Sequence, residues 1–589
     1  MRRSVLRTAA LVLAALALLP AVARGAGEPV LPLSAVHAGL RCTVRSVVQG
    51  TRIDTFDAVV RDVVDAQPAG EDARILIRVS GPAVADTGVG PGFSGSPISC
   101  PDPAGRMRVA GAISESVGAY GGFDALATPI EQVIGQPVSP PVGVRRAPGL
   151  LAHARPLAAL TATGLSRPLA ALARRAAHRA GRELIVVPGG PAASRFAPQR
   201  LLPGASLSVG LSSGAVALGA IGTVTYRDGP MLWAFGHPFD GAGRRSLFLQ
   251  DAYVYAVINN PLGAQDLTTY KLAAPGHDLG TVSGDGPDAI AGRVGGGPPQ
   301  IPLTVTTRDG DAGTKAVAET RIADETDLGE PSGSSPLSLV APLAVASLGT
   351  QAFHGGAPSE ESGRSCLVVV LRERPRSPAR ACNRYSEIGL AEDGGAVPFR
   401  AASDVASAVA LVEGADFRAL HVARLSVDLT VRRGLRGLEL VGASSPARVH
   451  PGRLVSVAVR LRRARQPARV RRFRLRVPGS ISPGRQELRL ADRATVESDG
   501  GGGDAAQAVV QAAFAGGGGA GGSANGAESV EGVLRAIRRI ATDDGLRAYW
   551  TGLRGPSGHR AARLGLPALR DRQDPISGSV RVPVQVVRG

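Results

Sequence analysis

The chain has 589 residues, and at roughly 100–200 residues per domain it is too long for a single hydrophobic core. Its composition is 44% hydrophobic but only 4% aromatic, and its 77 Gly and 44 Pro favour short strands and turns, so we predict a mainly β protein. The net charge of +18 comes almost entirely from Arg residues that are spread along the chain without interleaved aromatic residues. This pattern argues against nucleic acid as a partner.

The first 23 residues have the three parts of a secretory signal peptide. Arginines precede an apolar run at residues 9–19, and a small-residue cleavage site follows at residues 21–23. The apolar run is about half as long as a membrane span, which needs roughly 20 residues, although an uncleaved anchor is the alternative. We expect an exported protein, located in the periplasm, the cell envelope or the medium, with no transmembrane span in the mature chain.

Residues 24–144 are predicted to form a first β unit, because their short β-rich runs are bounded by Gly, Pro or Asp. These runs are residues 42–48, 56–64, 74–79 and 108–113. Residues 145–200 are rich in Ala and Arg and are predicted to be a helical or irregular connector. Residues 201–330 are predicted to form a second β unit. Its candidate strands are residues 207–211, 220–226, 231–235, 252–258 and 301–307.

The segments of residues 331–589 are predicted from their composition and from the spacing of their apolar residues. Residues 331–395 form an extension with a helix at residues 336–348 and a pair of cysteines, and residues 396–499 read as a β-sandwich-like domain. Residues 500–527 are a Gly-rich linker that cannot bury a core. Residues 528–589 are predicted to contain a helix and a final strand, because apolar residues follow helical spacing at first and alternate near the end.

Four cysteines lie in two separated pairs, and in an exported chain they are expected to form disulfides. Of the three possible pairings we predict Cys42 with Cys100 and Cys366 with Cys382, because each closes a loop inside one predicted unit. A metal site is the alternative, but no pair has C-x-x-C spacing and no His lies at ligand spacing. We therefore predict no metal, and no motif indicates an organic cofactor.

The sharpest local motif is Gly-Phe-Ser-Gly-Ser-Pro at residues 92–97. Flanking glycines permit unusual backbone angles and expose a Ser hydroxyl and neighbouring amides to a substrate carbonyl. Ser94 is the predicted nucleophile, and the amides of Gly92 and Ser94 are the predicted oxyanion donors. A plain Gly/Ser turn between strands is the alternative.

A serine nucleophile needs a base, and His237 is the best placed of nine histidines. It directly follows the apolar run at residues 231–235, and Pro238 biases it toward an extended geometry at a strand end. Without the serine motif, a histidine that merely fills a polar niche would be the simpler interpretation.

These motifs resemble the SpoIVB-type serine peptidase family (stage IV sporulation protein B). The segment 50–57, the Ser-Gly-Pro at 80–82 and the serine motif are similar to its serine-bearing half. The Gly-Thr-Val-Thr at 222–225, followed by Ala-Phe-Gly-His-Pro-Phe at 234–239, is similar to its histidine-bearing half. The resemblance covers roughly residues 36–330 and implies a chymotrypsin-like double β-barrel with its active site in the cleft between the barrels.

The chain departs from the family in two ways. Its serine half precedes its histidine half, which triad geometry tolerates because that geometry depends on positions in space. The acidic residue of the family stands in an Asp-Pro pair, and the matching pair here is Gly81-Pro82. Asp86, Asp57 and Asp251 are candidate replacements, of which we favour Asp86 because it is nearest to the serine motif.

The sequence therefore predicts an exported serine endopeptidase that acts on protein or peptide substrates or on itself, with Ser94, His237 and Asp86 as the catalytic residues. The alternative is a weak or inactive pseudopeptidase that serves as an envelope or secreted protein-binding module. The oligomeric state is not indicated by the sequence.

Overall fold

The structure is a computed structural model with strands over 50% of the chain and helices over 16%, which confirms the mainly β prediction. It describes residues 27–65, 73–117, 122–141, 144–259, 269–329, 335–353, 356–388, 395–463, 466–492, 510, 527–540, 545–553, 566–570 and 574–587. The predicted signal peptide and nearly all of the Gly-rich linker lie outside these residues. Within them, no helix is both long enough and apolar enough to cross a membrane.

Six strands form a closed barrel in the order β1-β4-β5-β6-β3-β2, because β1 pairs with both β4 and β2. They are β1 (Arg41–Val47), β2 (Ile53–Asp65), β3 (Arg74–Ser80), β4 (Pro97–Pro101), β5 (Met107–Ser116) and β6 (Asp124–Pro129). Side chains alternate between the two faces of a strand, so Ile75, Ile77 and Val79 of β3 all enter the barrel core. The predicted Cys42–Cys100 disulfide is present and joins β1 to β4.

The predicted connector is only partly irregular. It contains β7 (Arg145–Arg146), α2 (Pro148–Ala152), β8 (Arg155–Pro156), β9 (Leu160–Thr163), α3 (Arg167–Arg179) and β10 (Leu184–Val187), after the short helix α1 (Ile130–Val133). Strands β7 and β8 add to the barrel strands β2 and β5, whereas the parallel pair β9 and β10 extends the next sheet. The connector thus belongs to both β units.

The second sheet has the order β10-β9-β13-β11-β15-β16-β17-β14. Its remaining strands are β11 (Ser206–Gly210), β13 (Ala217–Asp228), β14 (Met231–Ala234), β15 (Gly243–Asn259), β16 (Thr269–Asp285) and β17 (Ile290–Val294). Strand β13 pairs with both β11 and β14. The six strands from β13 through β11, β15, β16 and β17 to β14 therefore form a closed ring of pairings. This curled sheet carries the predicted histidine at the end of β14.

A third sheet joins segments from three of the predicted units. Its order is β12-β19-β18-β22-β20-β21, formed by β12 (Ser212–Gly214), β18 (Gln300–Asp309), β19 (Thr314–Ala323), β20 (Glu360–Leu371), β21 (Ala379–Ile388) and β22 (Val422–Arg433). The parallel pairing of β18 with β22 spans the boundaries predicted at residues 330 and 395. Helices α4 (Pro336–Gln351) and α5 (Ala396–Glu413) pack in the same hydrophobic cluster, and the Cys366–Cys382 disulfide joins β20 to β21 as predicted.

Two further sheets share one hydrophobic cluster that includes Trp550. Their orders are β26-β25-β23-β30 and β24-β31-β27-β28-β29. The strands are β23 (Leu438–Ser444), β24 (Arg448–Val449), β25 (Leu454–Arg462), β26 (Arg469–Arg476), β27 (Gly484–Ala491), β28 (Gly545–Trp550), β29 (Leu566–Arg570), β30 (Ile576–Ser577) and β31 (Ser579–Val586). The predicted final strand is β31, and the predicted helix before it is α6 (Val530–Arg538), which packs in the cluster of the third sheet.

Candidate active site

The barrel and the second sheet meet along a seam of backbone hydrogen bonds. Gly50 and Val254 bond to each other through both backbone groups, at 2.7 and 3.0 Å. The Thr223 amide donates to the Ser94 carbonyl at 2.8 Å, and the Lys271 amide donates to the Pro91 carbonyl at 2.9 Å. The serine motif is therefore bound directly to β13 and β16 of the neighbouring sheet.

The serine loop, residues 92–96, lies directly before β4. Gly92 and Gly95 both adopt positive φ angles, of 95° and 87°. A Cβ on Gly95 would stand 2.1 Å from the Thr223 carbonyl oxygen, so only glycine allows the loop to approach β13 this closely. The Ser94 side chain is 1% exposed, and its Oγ has no hydrogen-bond partner among the described residues.

The backbone amides of this loop, which include the two predicted oxyanion donors, differ in their hydrogen bonding. The Gly95 amide is used, because it donates to the Ile113 carbonyl at 2.7 Å. The amides of Gly92 and Ser94 donate to no other backbone group within the described chain. Of these two residues, Ser94 lines the cavity described below, whereas Gly92 is not part of its wall.

His237 follows β14 in a turn of unusual backbone conformation. Phe235 has a φ of 73° and is the single non-glycine residue with positive φ in the described part of the chain. Gly236 follows with a φ of 70°, and its carbonyl accepts a 2.6 Å hydrogen bond from Thr128 Oγ1 on β6. Such strained residues persist only where the surrounding structure holds them, and they cluster at functional sites. This turn joins the histidine strand to the barrel.

The hydrogen bonding of His237 fixes its tautomer. Nδ1 lies 2.6 Å from the Pro238 carbonyl oxygen, which only accepts, so Nδ1 carries the proton. Nε2 is then unprotonated, and it has no hydrogen-bond partner among the described residues. Burial lowers the pKa of His237 to about 4, although the Pro238 backbone, the charge of Asp285 and the Leu157 backbone oppose part of that shift. The ring is thus neutral at pH 7, with Nε2 free to accept a proton.

Ser94 and His237 line one cavity of about 620 Å³ between the barrel and the second sheet. Apolar residues, two arginines and the acidic residues Glu183 and Asp240 form most of the remaining wall. These residues include Arg155, Leu157, Leu160, Arg182, Ile221 and Phe235. Ser94 and His237, which the sequence pairs across more than a hundred positions, therefore line one cavity, but Ser94 Oγ and His237 Nε2 are not hydrogen-bonded to each other in the described structure.

The three candidate acids lie elsewhere. Asp86 is exposed in a turn outside the cavity lining, where its backbone carbonyl accepts a hydrogen bond from Asn259. Asp57 is exposed on β2. Asp251 is buried, but its carboxylate binds the amide of His277 and lies 3.1 Å from the Nδ1 of that residue. None of the three has a hydrogen bond to His237 in the described structure.

Asp285 is the carboxylate that acts on His237. Its charge raises the pKa of the imidazole, and its oxygens accept the amides of Phe239 and Asp240 at 2.7 and 2.8 Å. It thereby fixes the segment that follows His237. No local sequence signal marks this residue, because the contact depends on how β16 folds back beside the turn.

Lys271 is a second residue that the motifs do not reveal, although it is one of only two lysines in the chain. It is buried, and Nζ donates to Ser46 Oγ at 2.8 Å and lies 4.4 Å from the centre of the Phe93 ring. Ser46 Oγ in turn accepts a hydrogen bond from Ser96 Oγ at 2.9 Å. Burial lowers the pKa of Lys271 to about 7. Lys271 therefore contacts the serine loop directly at Phe93 and indirectly, through Ser46, at Ser96.

Within the described residues, no group of three or more His, Cys, Asp or Glu side chains is arranged to hold a metal ion. The polar residues that line the cavity are Ser94, His237, Arg155, Arg182, Glu183 and Asp240. Comparisons of the chain with protein-family models, with curated proteins and with solved structures found no match.

Proposed function

We propose that the chain is an exported serine endopeptidase that hydrolyses protein or peptide substrates. Ser94 Oγ attacks the scissile carbonyl carbon while His237 Nε2 takes the hydroxyl proton. The amides of Gly92 and Ser94 stabilise the oxyanion, and His237 then gives the proton to the leaving amine. The two disulfides are in keeping with export into an oxidising compartment such as the periplasm, the envelope or the medium.

One observation carries this proposal: Ser94 Oγ and His237 Nε2 are both buried, both lack hydrogen-bond partners, and belong to residues that line the same cavity. A buried polar atom without a partner costs about 1–3 kcal/mol, so such atoms persist mainly where function requires them. Two of them in one cavity, of the types that form a nucleophile and base pair, favour acyl-transfer chemistry.

The architecture supports a chymotrypsin-like arrangement of the kind that the SpoIVB-type family implies. One closed six-stranded barrel carries the serine loop, the curled second sheet carries the histidine turn, and the cavity lies between them. The swapped order of the two halves does not oppose the proposal, because the same catalytic geometry occurs with several chain orders.

A weak or inactive pseudopeptidase is the second candidate, and the surroundings of His237 favour it. No carboxylate hydrogen-bonds the imidazole in the described structure, and loss of that group lowers turnover about ten-thousandfold in the triad enzymes studied. The Pro238 carbonyl fixes the tautomer but supplies no full negative charge to stabilise an imidazolium ion. The protein would then bind extended peptides without rapid cleavage.

Labelling with a fluorophosphonate probe distinguishes the two candidates. We expect the wild-type chain to be labelled on Ser94, the Ser94→Ala variant to remain unlabelled and His237→Gln to react at least a thousandfold more slowly. Equal, slow reaction of wild type and Ser94→Ala, with both chains folded by circular dichroism, would rule out the peptidase.

A further inference from the structure

The edge strand β26 carries five arginines in its eight residues. It lies at one end of the β26-β25-β23-β30 sheet and pairs antiparallel with β25 over its whole length. Side chains alternate between the two faces of a strand, and the odd-numbered apolar residues of both strands pack in the core. The even-numbered residues therefore share the outward face. We define the arginine face as these residues, namely Leu454, Ser456, Ala458, Arg460, Arg462, Val470, Arg472, Arg474 and Arg476.

The positive charge of the arginine face is largely unbalanced. Glu439 of β23 forms an ion pair with Arg462 at 2.7 Å, and none of the other four arginines has a carboxylate partner among the described residues. Elsewhere neighbouring strands pair the two charges, as Arg78 of β3 does with Asp124 of β6 at 2.7 Å. Like charges that neighbour each other on one face repel, so this arrangement does not stabilise the sheet. It produces instead a surface of concentrated positive charge.

The same face exposes aliphatic side chains beside its arginines. Leu454 and Val470 are 55% and 59% exposed, and small residues lie next to the charges, since Arg472 pairs with Ala458. The face carries no aromatic residue on which a nucleic-acid base can stack. Guanidinium groups and exposed aliphatic groups on one face match the surface of an anionic bilayer, where phosphates lie above the acyl chains.

We propose that the arginine face binds the chain to the surface of an anionic phospholipid bilayer. The guanidinium groups of Arg460, Arg472 and Arg474 bind lipid phosphates, while Leu454 and Val470 enter the boundary between headgroups and acyl chains. This binding is peripheral, and it suits the predicted export of the chain, because an exported protein meets the outer surface of a membrane. The inference does not depend on the peptidase proposal, since no residue of the arginine face lines the active-site cavity.

Co-sedimentation of the full-length chain with lipid vesicles tests this assignment. We expect tighter binding to phosphatidylcholine vesicles that contain about 30% phosphatidylglycerol than to pure phosphatidylcholine vesicles. The affinity should fall as the salt concentration rises from about 0.1 M to about 1 M. The combined variant Arg460→Gln, Arg472→Gln and Arg474→Gln should bind the anionic vesicles at least tenfold more weakly, because each basic residue near such a surface strengthens binding roughly fivefold.

The matched control removes the same charge from exposed arginines outside this sheet. It combines Arg364→Gln, Arg376→Gln and Arg424→Gln, and it should bind the anionic vesicles like wild type. Residues 1–23 are common to all the variants, so any difference between them comes from the substituted arginines. Circular dichroism of each variant confirms that the protein is folded.

A second pair of measurements distinguishes a bilayer from a dissolved polyanion. Leu454→Ser with Val470→Ser should weaken vesicle binding severalfold and leave the binding of soluble polyphosphate unchanged, because only a bilayer offers an apolar boundary. An equal loss of vesicle binding in the two triple variants would show that total charge, and not this face, is responsible, and it would overturn the inference. Binding to polyphosphate without binding to anionic vesicles would assign the face to a soluble polyanion and would overturn it as well.

Discussion

At His237, the Pro238 backbone carbonyl occupies the position that a carboxylate has in a catalytic triad, as the acceptor for Nδ1. It holds the proton on Nδ1 and leaves Nε2 free, but it lacks the charge that would keep the imidazole basic. Burial, which disfavours the charged ring, therefore dominates and lowers the pKa to about 4. His237 therefore has the tautomer that a base acting through Nε2 needs, but its pKa is lowered.

This low pKa sets the acid limit of the reaction. The base must be neutral, so we expect the rate of Ser94 labelling to stay nearly constant from pH 8 down to about pH 5 and to fall through pH 4 as His237 is protonated. The measurement is the second-order labelling rate against pH, with circular dichroism to confirm that the protein is still folded. A midpoint near 6.5, the ordinary value for histidine, would contradict the assigned environment.

Asp86 provides a direct check on the acid that the sequence favours. Its position in an exposed turn, with no hydrogen bond to His237, leads us to expect that Asp86→Asn labels within about twofold of wild type. The matched variant is Asp285→Asn, which removes a charge that acts on the imidazole and should slow labelling clearly. A thousandfold loss in Asp86→Asn alone would instead establish Asp86 as the third member.

Lys271 should reveal its buried position through the pH dependence of stability. Its pKa falls from 10.5 to about 7 on folding, so between these values the unfolded chain binds more protons. The free energy of unfolding should therefore rise with pH across this window. Lys271→Met keeps the apolar stem without the charge and should lack the rise, as measured by denaturant unfolding at pH 7 and pH 9.5. An equal rise in both proteins would disprove a buried titrating lysine.

The sequence reveals Ser94 and His237 because each stands in a short motif of glycine and proline that has a local geometric purpose. It does not reveal Lys271 or Asp285. Both belong to β16, and they reach the site only because that long strand passes beside the serine loop at one end and the histidine turn at the other. Contacts of this kind depend on tertiary packing and leave no local pattern.

Strand β13 is the element that holds the serine loop and the histidine turn together, and its glycine at position 222 makes this possible. A Cβ on Gly222 would lie 2.3 Å from the Phe235 ring and 3.2 Å from the Ser94 carbonyl oxygen. Strand β13 also binds the serine loop through Thr223 and Thr225, whose hydroxyls donate to the carbonyls of Gly92 and Gly95. The closeness of the two loops therefore depends on a missing side chain.

We accordingly expect Gly222→Ala to displace the Phe235–His237 turn. Overpacking of a core commonly costs about 1–3 kcal/mol, and the labelling rate of Ser94 should fall at least tenfold. Gly190→Ala is the matched control, because a Cβ there meets nothing within 4 Å and the backbone conformation is ordinary. Wild-type labelling by Gly222→Ala would show that the turn can move without consequence.

Local patterning predicts elements well and their partners less well. The strands β3 and β31 and the helix α6 follow the alternation and helical spacing in the sequence. The boundary predicted at residue 330 separates strands that in fact share a sheet, since β18 pairs in parallel with β22. A parallel pairing over such a separation is invisible to a local pattern, because each strand looks the same whichever neighbour it takes.

Across the whole molecule, the two disulfides lie in different sheets, one beside the serine loop and one in the third sheet. Cys42–Cys100 joins β1 to β4, whose antiparallel pairing amounts to only Thr43 with Ser99 and Val44 with Ile98, and β4 begins directly after the serine loop. Cys366–Cys382 joins β20 to β21, which pair along their length in the third sheet. The first bridge thus joins the two barrel strands that share the fewest paired residues.

Removal of each bridge should therefore have a different effect on the active site. By loop-entropy arguments, Cys42→Ser with Cys100→Ser should cost about 4 kcal/mol of unfolding free energy, and Cys366→Ser with Cys382→Ser about 3 kcal/mol, because the loops span 58 and 16 residues. The two stability losses are similar. Under conditions where both variants are folded, only the loss of Cys42–Cys100 should lower Ser94 labelling, by tenfold or more. The reason is that only this bridge holds β1 and β4 together beside the serine loop. Equal labelling by the two variants would mean that the barrel strands hold the serine loop without the bridge.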